Sequence, residues 1–169
     1  MARSSAVSGI LRIVKIAGEL DTRIRLQKEA FLLAVASEDC FSVDDFDYHH
    51  YGPYSRVVSD SLRYAVVMGL VDEHAHSFDE SGEHVRYSYS LTEEGASLVD
   101  QESSMNETSA LIEELNKHHW RSLELAATIR FLEIREGFND REAALSEALR
   151  LKPATKPYVD DAKKVLDFV

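Results

Sequence analysis

Cysteine is nearly absent: Cys40 is the single thiol among 169 residues. One thiol excludes an intrachain disulfide framework and a four-thiolate zinc site. A lone cysteine of this kind reads as a small buried hydrophobe before it reads as a nucleophile. Cations are also scarce, with 19 Lys and Arg against 30 Asp and Glu and a net charge of −11. Phosphate binding runs on Lys and Arg, so that balance argues against a non-specific nucleic-acid coat protein. Long apolar runs are missing, and the stretch from Ala30 to Ala36 falls far short of a bilayer span. The N-terminal residues lack the continuous apolar core of a signal peptide, so the expected address is the cytoplasm. The glycines are scattered singly, which leaves no Gly-rich phosphate loop. No serine sits in a nucleophile elbow. The acidic pairs Asp44-Asp45 and Asp160-Asp161 are adjacent residues that do not share a helix face. These gaps predict a protein that is not an enzyme and carries no cofactor.

What is present suffices for a core. Hydrophobic residues make up 44% of the chain and charged residues 29%, which is globular composition. The length predicts one domain, or one domain with a helical extension. Charge is uneven along the chain. Residues 1–28 hold Arg3, Arg12, Lys15, Arg23, Arg25 and Lys28 against Glu19 and Asp21, a net of +4 that leaves −15 for the rest. Solvated helix faces are the plain reading. The sharper one is a small basic surface on an acidic body.

Hydrophobic spacing predicts the elements. Val7, Ile10, Leu11 and Val14 recur at helical period, and Leu26, Ala30, Phe31, Leu33 and Ala34 predict a second helix over 25–37. Cys40 to Asp47 reads as a turn or short strand. Gly52-Pro53 is strong punctuation, after which a third helix runs to about Met68. Val85, Tyr87, Tyr89 and Leu91 alternate with polar residues, and Leu70 to His76 reads as their antiparallel partner. The turn between those strands falls at Asp79-Glu80-Ser81-Gly82. Thr92 with Glu93 and Glu94 is a capped helix start; that helix runs toward Lys117, with a break near Ser103-Ser104. The stretch from Trp120 to Arg135 is apolar almost all round, as a buried central helix is. Asn139 with Glu142 resembles a capping box for the next helix, and Thr155 and Pro157 open a last one. The expected fold is mainly α with a small β-hairpin. A winged-helix-like region over 1–100 packs on a C-terminal helical region over 101–169.

Two segments carry a family resemblance. The run Arg25-Leu26-Gln27-Lys28-Glu29-Ala30-Phe31-Leu32-Leu33 resembles an L-Q-K-x-x-F-L-L segment of YwgA-like bacterial proteins. Phe46 to Ser55, with Tyr51-Gly52-Pro53-Tyr54-Ser55 as its most specific part, resembles their F-x-Y-x-x-Y-G-P-Y-S segment. Leu70-Val71, Leu91 to Gly95, Ser122 to Ile129 and Leu151-Lys152-Pro153 extend the match from about Ile10 to Pro153. The L-Q-K and Y-G-P elements also resemble, more distantly, the Panacea (SocA-like) antitoxin domain, which usually carries Y-G-P-V. The resemblance implies a mostly helical, winged-helix-like fold and, from the Panacea side, neutralisation of a toxin by direct binding. It brings no catalytic residues.

Tyr48, Tyr51, Gly52, Pro53, Tyr54 and Ser55 are therefore candidates for partner binding, because tyrosine brings interface area at low entropy cost. The same segment also reads as a helix-start turn, with Gly52-Pro53 setting the backbone and Ser55 capping. Candidate nucleic-acid contacts are Arg12, Lys15, Arg23, Arg25 and Lys28, with Arg56 and Arg63 on the third helix. The acidic wing tip at Asp79, Glu80 and Glu83 argues against DNA. His74 and His76 share a strand face near His84, but without a ligand-spacing pattern they read as a solvated wing and not as a metal site. His118-His119 read as a surface break. The expected function is protein–protein association by an antitoxin-like or immunity-like neutraliser, or an adaptor; the alternative is a winged-helix transcriptional regulator. A protein partner is expected, with no membrane, DNA disfavoured by charge, and homodimerisation open. Leu123 to Ile134 are expected in an intrachain core, with a dimer interface as the other reading.

Overall fold

In a computed structural model, the structure describes residues 2–50, 52–77, 85–101 and 106–169. The first apolar stripe folds as α1 (Ala2–Ala17), burying Ile10, Leu11, Ile13 and Val14. A two-residue strand, β1 (Leu20–Asp21), leads into α2 (Arg23–Ala36). Thr22 caps α2 by accepting the Arg25 N–H at 3.3 Å. It does so at φ 72°, ψ 146°, a conformation that disfavours a β-branched residue. A bond from its own N–H to the Tyr87 carbonyl, 3.1 Å, pins it there and fixes where Arg23 leaves the sheet.

A 3-10 turn (Val43–Asp45) follows, and then β2 (Asp47–His49) pairs antiparallel with β3 (Gly52–Tyr54). The sequence predicts a turn or short strand over Cys40 to Asp47 and a break at Gly52-Pro53; the pairing of two three-residue strands escapes period analysis because they are too short to alternate. Ser55 then caps α3 (Arg56–Val67), its hydroxyl accepting the Val58 N–H at 3.3 Å. Ser55→Ala is expected to lower stability by about 1 kcal/mol. Thermal unfolding would show it as a Tm roughly 2–4 °C lower; an unchanged Tm would mean the cap contributes nothing.

The strands β4 (Val71–Ser77) and β5 (Val85–Leu91) pair as expected, and β1 adds to the far edge of β5, giving the order β1-β5-β4. The predicted turn at 79–82 lies outside the described residues. The period of two holds only near the helices: Tyr89 is fully buried, whereas Val85 is 41% exposed. The outer end of the hairpin projects past the core, so alternation there has no buried face to serve.

The C-terminal part contains α4 (Glu93–Gln101), α5 (Asn106–Asn116), α6 (Trp120–Arg135), α7 (Arg141–Leu151), a 3-10 turn (Pro153–Tyr158) and α8 (Val159–Leu166). The predicted break at Ser103-Ser104 falls outside the described residues. Asp140, not Asn139, caps α7 through the N–H groups of Glu142 and Ala143. The last helix begins at Val159 because the turn from Pro153 comes first. Gly95 sits so close to the Leu70 carbonyl that a Cβ would lie 2.1 Å from it, so α4 docks directly on the start of β4. The fold is mainly α with small antiparallel elements.

The core is continuous across the chain. α1 packs on α3 and α5, and α2 packs on α6. Leu123, Leu125, Ala126, Ala127, Ile129 and Phe131 on α6 are buried within the chain. Phe31 of α2 meets Phe46 at 5.2 Å and Phe131 at 6.0 Å between ring centroids, joining α2, the 3-10 turn and α6. Edge-to-face and tilted geometries of this kind add to the area term. The apolar α6 run is thus spent on an intrachain core; only Ile134, 43% exposed, emerges.

Candidate partner-binding site

The two segments that carry the family resemblance meet in space. Gln27, inside α2, is buried, and its amide holds the backbone of Ser55 on both sides. Its Oε1 accepts the Ser55 N–H at 2.8 Å, and its Nε2 donates to the Ser55 carbonyl at 2.9 Å and to Ser59 Oγ at 3.0 Å. One residue on, the Lys28 ammonium donates to the Pro53 carbonyl at 2.9 Å. Adjacent residues of α2 therefore fasten the β2–β3 hairpin and the start of α3. Gly52 is needed where it stands: its φ is +90°, and a Cβ would meet Thr128 Oγ1 at 3.2 Å.

Below the hairpin lies a charged cluster. Lys28 is 1% exposed and Glu124 of α6 is 4% exposed. Lys152, after α7, approaches Glu124 Oε1 at 3.5 Å and donates to the His50 carbonyl. Burial lowers the Lys28 pKa to about 7, with Lys152 adding to the shift and Glu124 opposing it. Burial, with Glu124 and Glu147, holds the Tyr48 phenol above its usual value.

Of the predicted partner-binding residues, Gly52, Pro53 and Ser55 are buried and serve the turn. Tyr51 lies outside the described residues. Tyr54 is half-buried with its ring 4.8 Å from His49, and Tyr48 is 37% exposed with its ring 5.6 Å from Phe131. Tyr48 and Tyr54 are thus the described members of this segment with side-chain surface to offer. The union of L-Q-K with Y-G-P-Y-S is also where comparison with known proteins bears.

No family model matches the chain. It is similar to a protein of Bacillus subtilis (strain 168) named "Uncharacterized protein YwgA". The identity is 26% over 160 residues, covering 94% of this chain and 92% of that one. The similarity spans both motif segments and supports a YwgA-like relationship across most of the chain.

The N-terminal cations do not make the basic surface their sequence suggests. Arg12 and Lys28 are buried. Arg25 pairs with buried Glu29 at 2.7 Å and donates to the carbonyls of Leu115, Asn116 and His118, closing the C-terminal end of α5. Arg12 and Lys28 are thus enclosed by packing, and Arg25 is mostly covered and committed to these partners, so none of the three offers a free guanidinium or ammonium face to the phosphates of a nucleic acid. Burial drives the Glu29 carboxyl up to about 7 against the pull of Arg25. Lys15 is paired with Asp100. Arg23 donates to Tyr89 Oη at 2.6 Å and Glu73 Oε2 at 2.8 Å, and Tyr89 donates to the same Glu73 oxygen at 2.8 Å. That leaves Arg56, 3.8 Å from Asp60, and Arg63 on the exposed side of α3.

Of the histidines, His118 departs from expectation, while His74, His76 and His119 are exposed. His118 is enclosed, with Nδ1 3.0 Å from Asp161 Oδ1, and His119 stacks on Tyr158 at 4.5 Å. His74 and His76 reach Ser90 and Ser88 across the hairpin at 3.0 and 2.8 Å. His84 lies outside the described residues. Among the described residues, no three His, Cys, Asp or Glu side chains are grouped to hold a metal ion. Cys40 is buried.

Sequence reasoning missed the outward face of α3. Tyr64, Val67 and Met68 are 53%, 76% and 52% exposed. Beside them a groove of about 870 Å³ runs between α1, α3 and α4, with Val7, Leu11, Val57 and Leu98 in its walls. The signal was available: α3 has more apolar residues than one buried stripe requires, and its core face uses Val58, Leu62 and Ala65.

Proposed function

We propose that this protein acts by protein–protein association, as an antitoxin-like or immunity-like neutraliser or an adaptor, with no bond-making chemistry of its own. The observation that carries the reading is the outward face of α3. In a winged-helix-like arrangement that helix would read nucleic acid, yet here it offers Tyr64, Val67 and Met68 beside an apolar groove. An exposed apolar patch rimmed by polar residues is what a protein partner buries. The occupant fitting the rest of the molecule is a cationic protein. A net charge of −11 steers such a partner in and repels acidic competitors. Action in the cytoplasm and kinship of role with Panacea-type antitoxins belong to this proposal.

The winged-helix regulator is the second reading. It is favoured by the order α1, β1, α2, α3, β4, β5, interrupted by the short β2–β3 hairpin before α3, with sheet order β1-β5-β4, and by exposed Arg56 and Arg63. It has fewer phosphate contacts to draw on than the sequence promised. Tagged wild type and Val67→Glu, recovered from the native host, separate the two. Wild type is expected to retain a stoichiometric basic protein. Val67→Glu should lose it, since a charge at the centre of a contact removes 2 kcal/mol or more, about thirtyfold in affinity. Recovery of specific DNA with no stoichiometric protein would overturn the proposal in favour of the regulator.

A further inference from the structure

On the other side of α3 is a second concavity, a cleft of about 600 Å³ between α2, the β2–β3 hairpin, α3 and β4. That volume lies within the range of small-molecule sites. Gln27, Lys28, His49, Tyr54, Ser59 and Arg63 contribute to its walls, with Ile24, Leu62 and Val66 as apolar surface. We propose that this cleft binds a small organic oxyanion, a carboxylate or phosphate carried on a planar ring. The inference stands apart from the protein-association reading and uses only the isolated chain.

The argument is a surplus of donors. Arg63 makes no hydrogen bond or ion pair among the described residues, and its guanidinium carries five N–H donors. Ser59, one helical turn earlier on the same face, accepts from Gln27 at 3.0 Å, and its own O–H meets no acceptor among the described residues. The buried Lys28 Nζ donates to the Pro53 carbonyl and keeps a further N–H in either protonation state. Of the acids at the cleft, Glu73 is held through one oxygen by Arg23 and Tyr89, and Asp60 stands 3.8 Å from Arg56. A group that arrives with lone pairs and negative charge completes the donors of Arg63 and Ser59. Arg63 offers the bidentate fork that carboxylate and phosphate match. The ring requirement comes from two aromatic side chains that also line the cleft. His49 and Tyr54 stand 4.8 Å apart at a 55° tilt, an aromatic pair at the cleft with apolar side chains nearby.

The test is a titration of the purified, isotope-labelled chain, followed by amide NMR, with phenyl phosphate, benzoate, inorganic phosphate and benzyl alcohol. Phenyl phosphate or benzoate should saturate one site at millimolar concentration or below, moving the amides of Gly52 and Tyr54 and of Ser59 to Arg63. Which of the two binds more tightly tells a phosphate site from a carboxylate site. Inorganic phosphate and benzyl alcohol should each bind about tenfold more weakly or worse, lacking the ring or the charge. Arg63→Gln should weaken the aryl anion about tenfold or more, while Arg150→Gln, on α7 and outside the cleft walls, should not. Equal binding of benzyl alcohol, equal binding of inorganic phosphate, shifts confined to other elements, or no saturation by either aryl anion would overturn the proposal. Asp60, Arg63 and Val67 border both the cleft and the groove, but small-anion binding by the isolated wild-type chain and recovery of a protein partner are separate measurements, so the two readings fail separately.

Discussion

Gln27→Ala is expected to lower the unfolding free energy by about 3 kcal/mol, for a reason located in two backbone groups. The Ser55 N–H is buried, and its partner is Gln27 Oε1 at 2.8 Å. The Ser55 carbonyl loses the Gln27 amide and keeps the weaker α3 bond from the Ser59 N–H at 3.2 Å. Alanine is too short to reach either group and opens space that buried backbone cannot fill with its own donors. A buried donor left without an acceptor costs about 1–3 kcal/mol, and the lost amide packing adds to that. Denaturant unfolding reads the change. Gln27→Glu is the companion variant. It keeps the acceptor for the Ser55 N–H but sets a carboxylate oxygen against the Ser55 carbonyl, so it should also destabilise. Wild-type stability in both variants would show that the hairpin does not depend on α2.

Lys28→Met is expected to change the pH dependence of stability. In the folded protein burial brings the lysine to about 7, while in the unfolded chain it titrates near 10.5. Between those values the unfolded chain holds a proton that the folded protein does not, so stability from this group rises with pH. Its unfavourable contribution is complete below about 7 and is relieved as the pH approaches 10.5. The groups that face it are Glu124 on α6, which favours the charged form, and Lys152, which opposes it. The stability difference between wild type and Lys28→Met should therefore shift toward wild type by roughly 3–5 kcal/mol between pH 7 and pH 10. Glu29 acts with the opposite sign at lower pH. Its carboxyl is raised to about 7, so its contribution falls as pH rises from the ordinary carboxylate range to 7. A Lys28→Met difference that does not vary above pH 7 would mean the lysine stays charged when buried.

How much of this was legible in advance depends on the range over which each cause acts. α1, α2, α3 and α6 follow from apolar spacing, and the caps at Ser55 and Thr92 follow from local side-chain chemistry; Thr92 Oγ1 accepts the Gly95 N–H at 3.1 Å. The β1 strand was invisible because two residues carry no period, and it exists only because β5 lies alongside. The candidate site was half legible. Tyr51 to Ser55 stood out as punctuation and resemblance, and Gln27 and Lys28 by resemblance, with Lys28 also read as a nucleic-acid contact, but nothing local joined the two segments. The purpose of Gln27 and Lys28 depends on residues 25 to 28 positions away. The N-terminal cations show the same limit. Their number predicted a basic surface; Arg25 has a local partner in Glu29 one turn on, but Glu73 and Asp100 lie on other elements that only folding brings near.

By itself, the order of residues determined the helices, the capped turns, the β4–β5 hairpin and the acidic balance, since each arises from neighbours a few positions apart or from a plain count. Tertiary packing alone decided which cations stay at the surface, that α2 clamps the β2–β3 hairpin, and that α3 has an apolar groove on one side and a donor-rich cleft on the other. Those outcomes depend on which groups meet across long stretches of chain, where burial and pairing set the charge and the accessible face of every side chain.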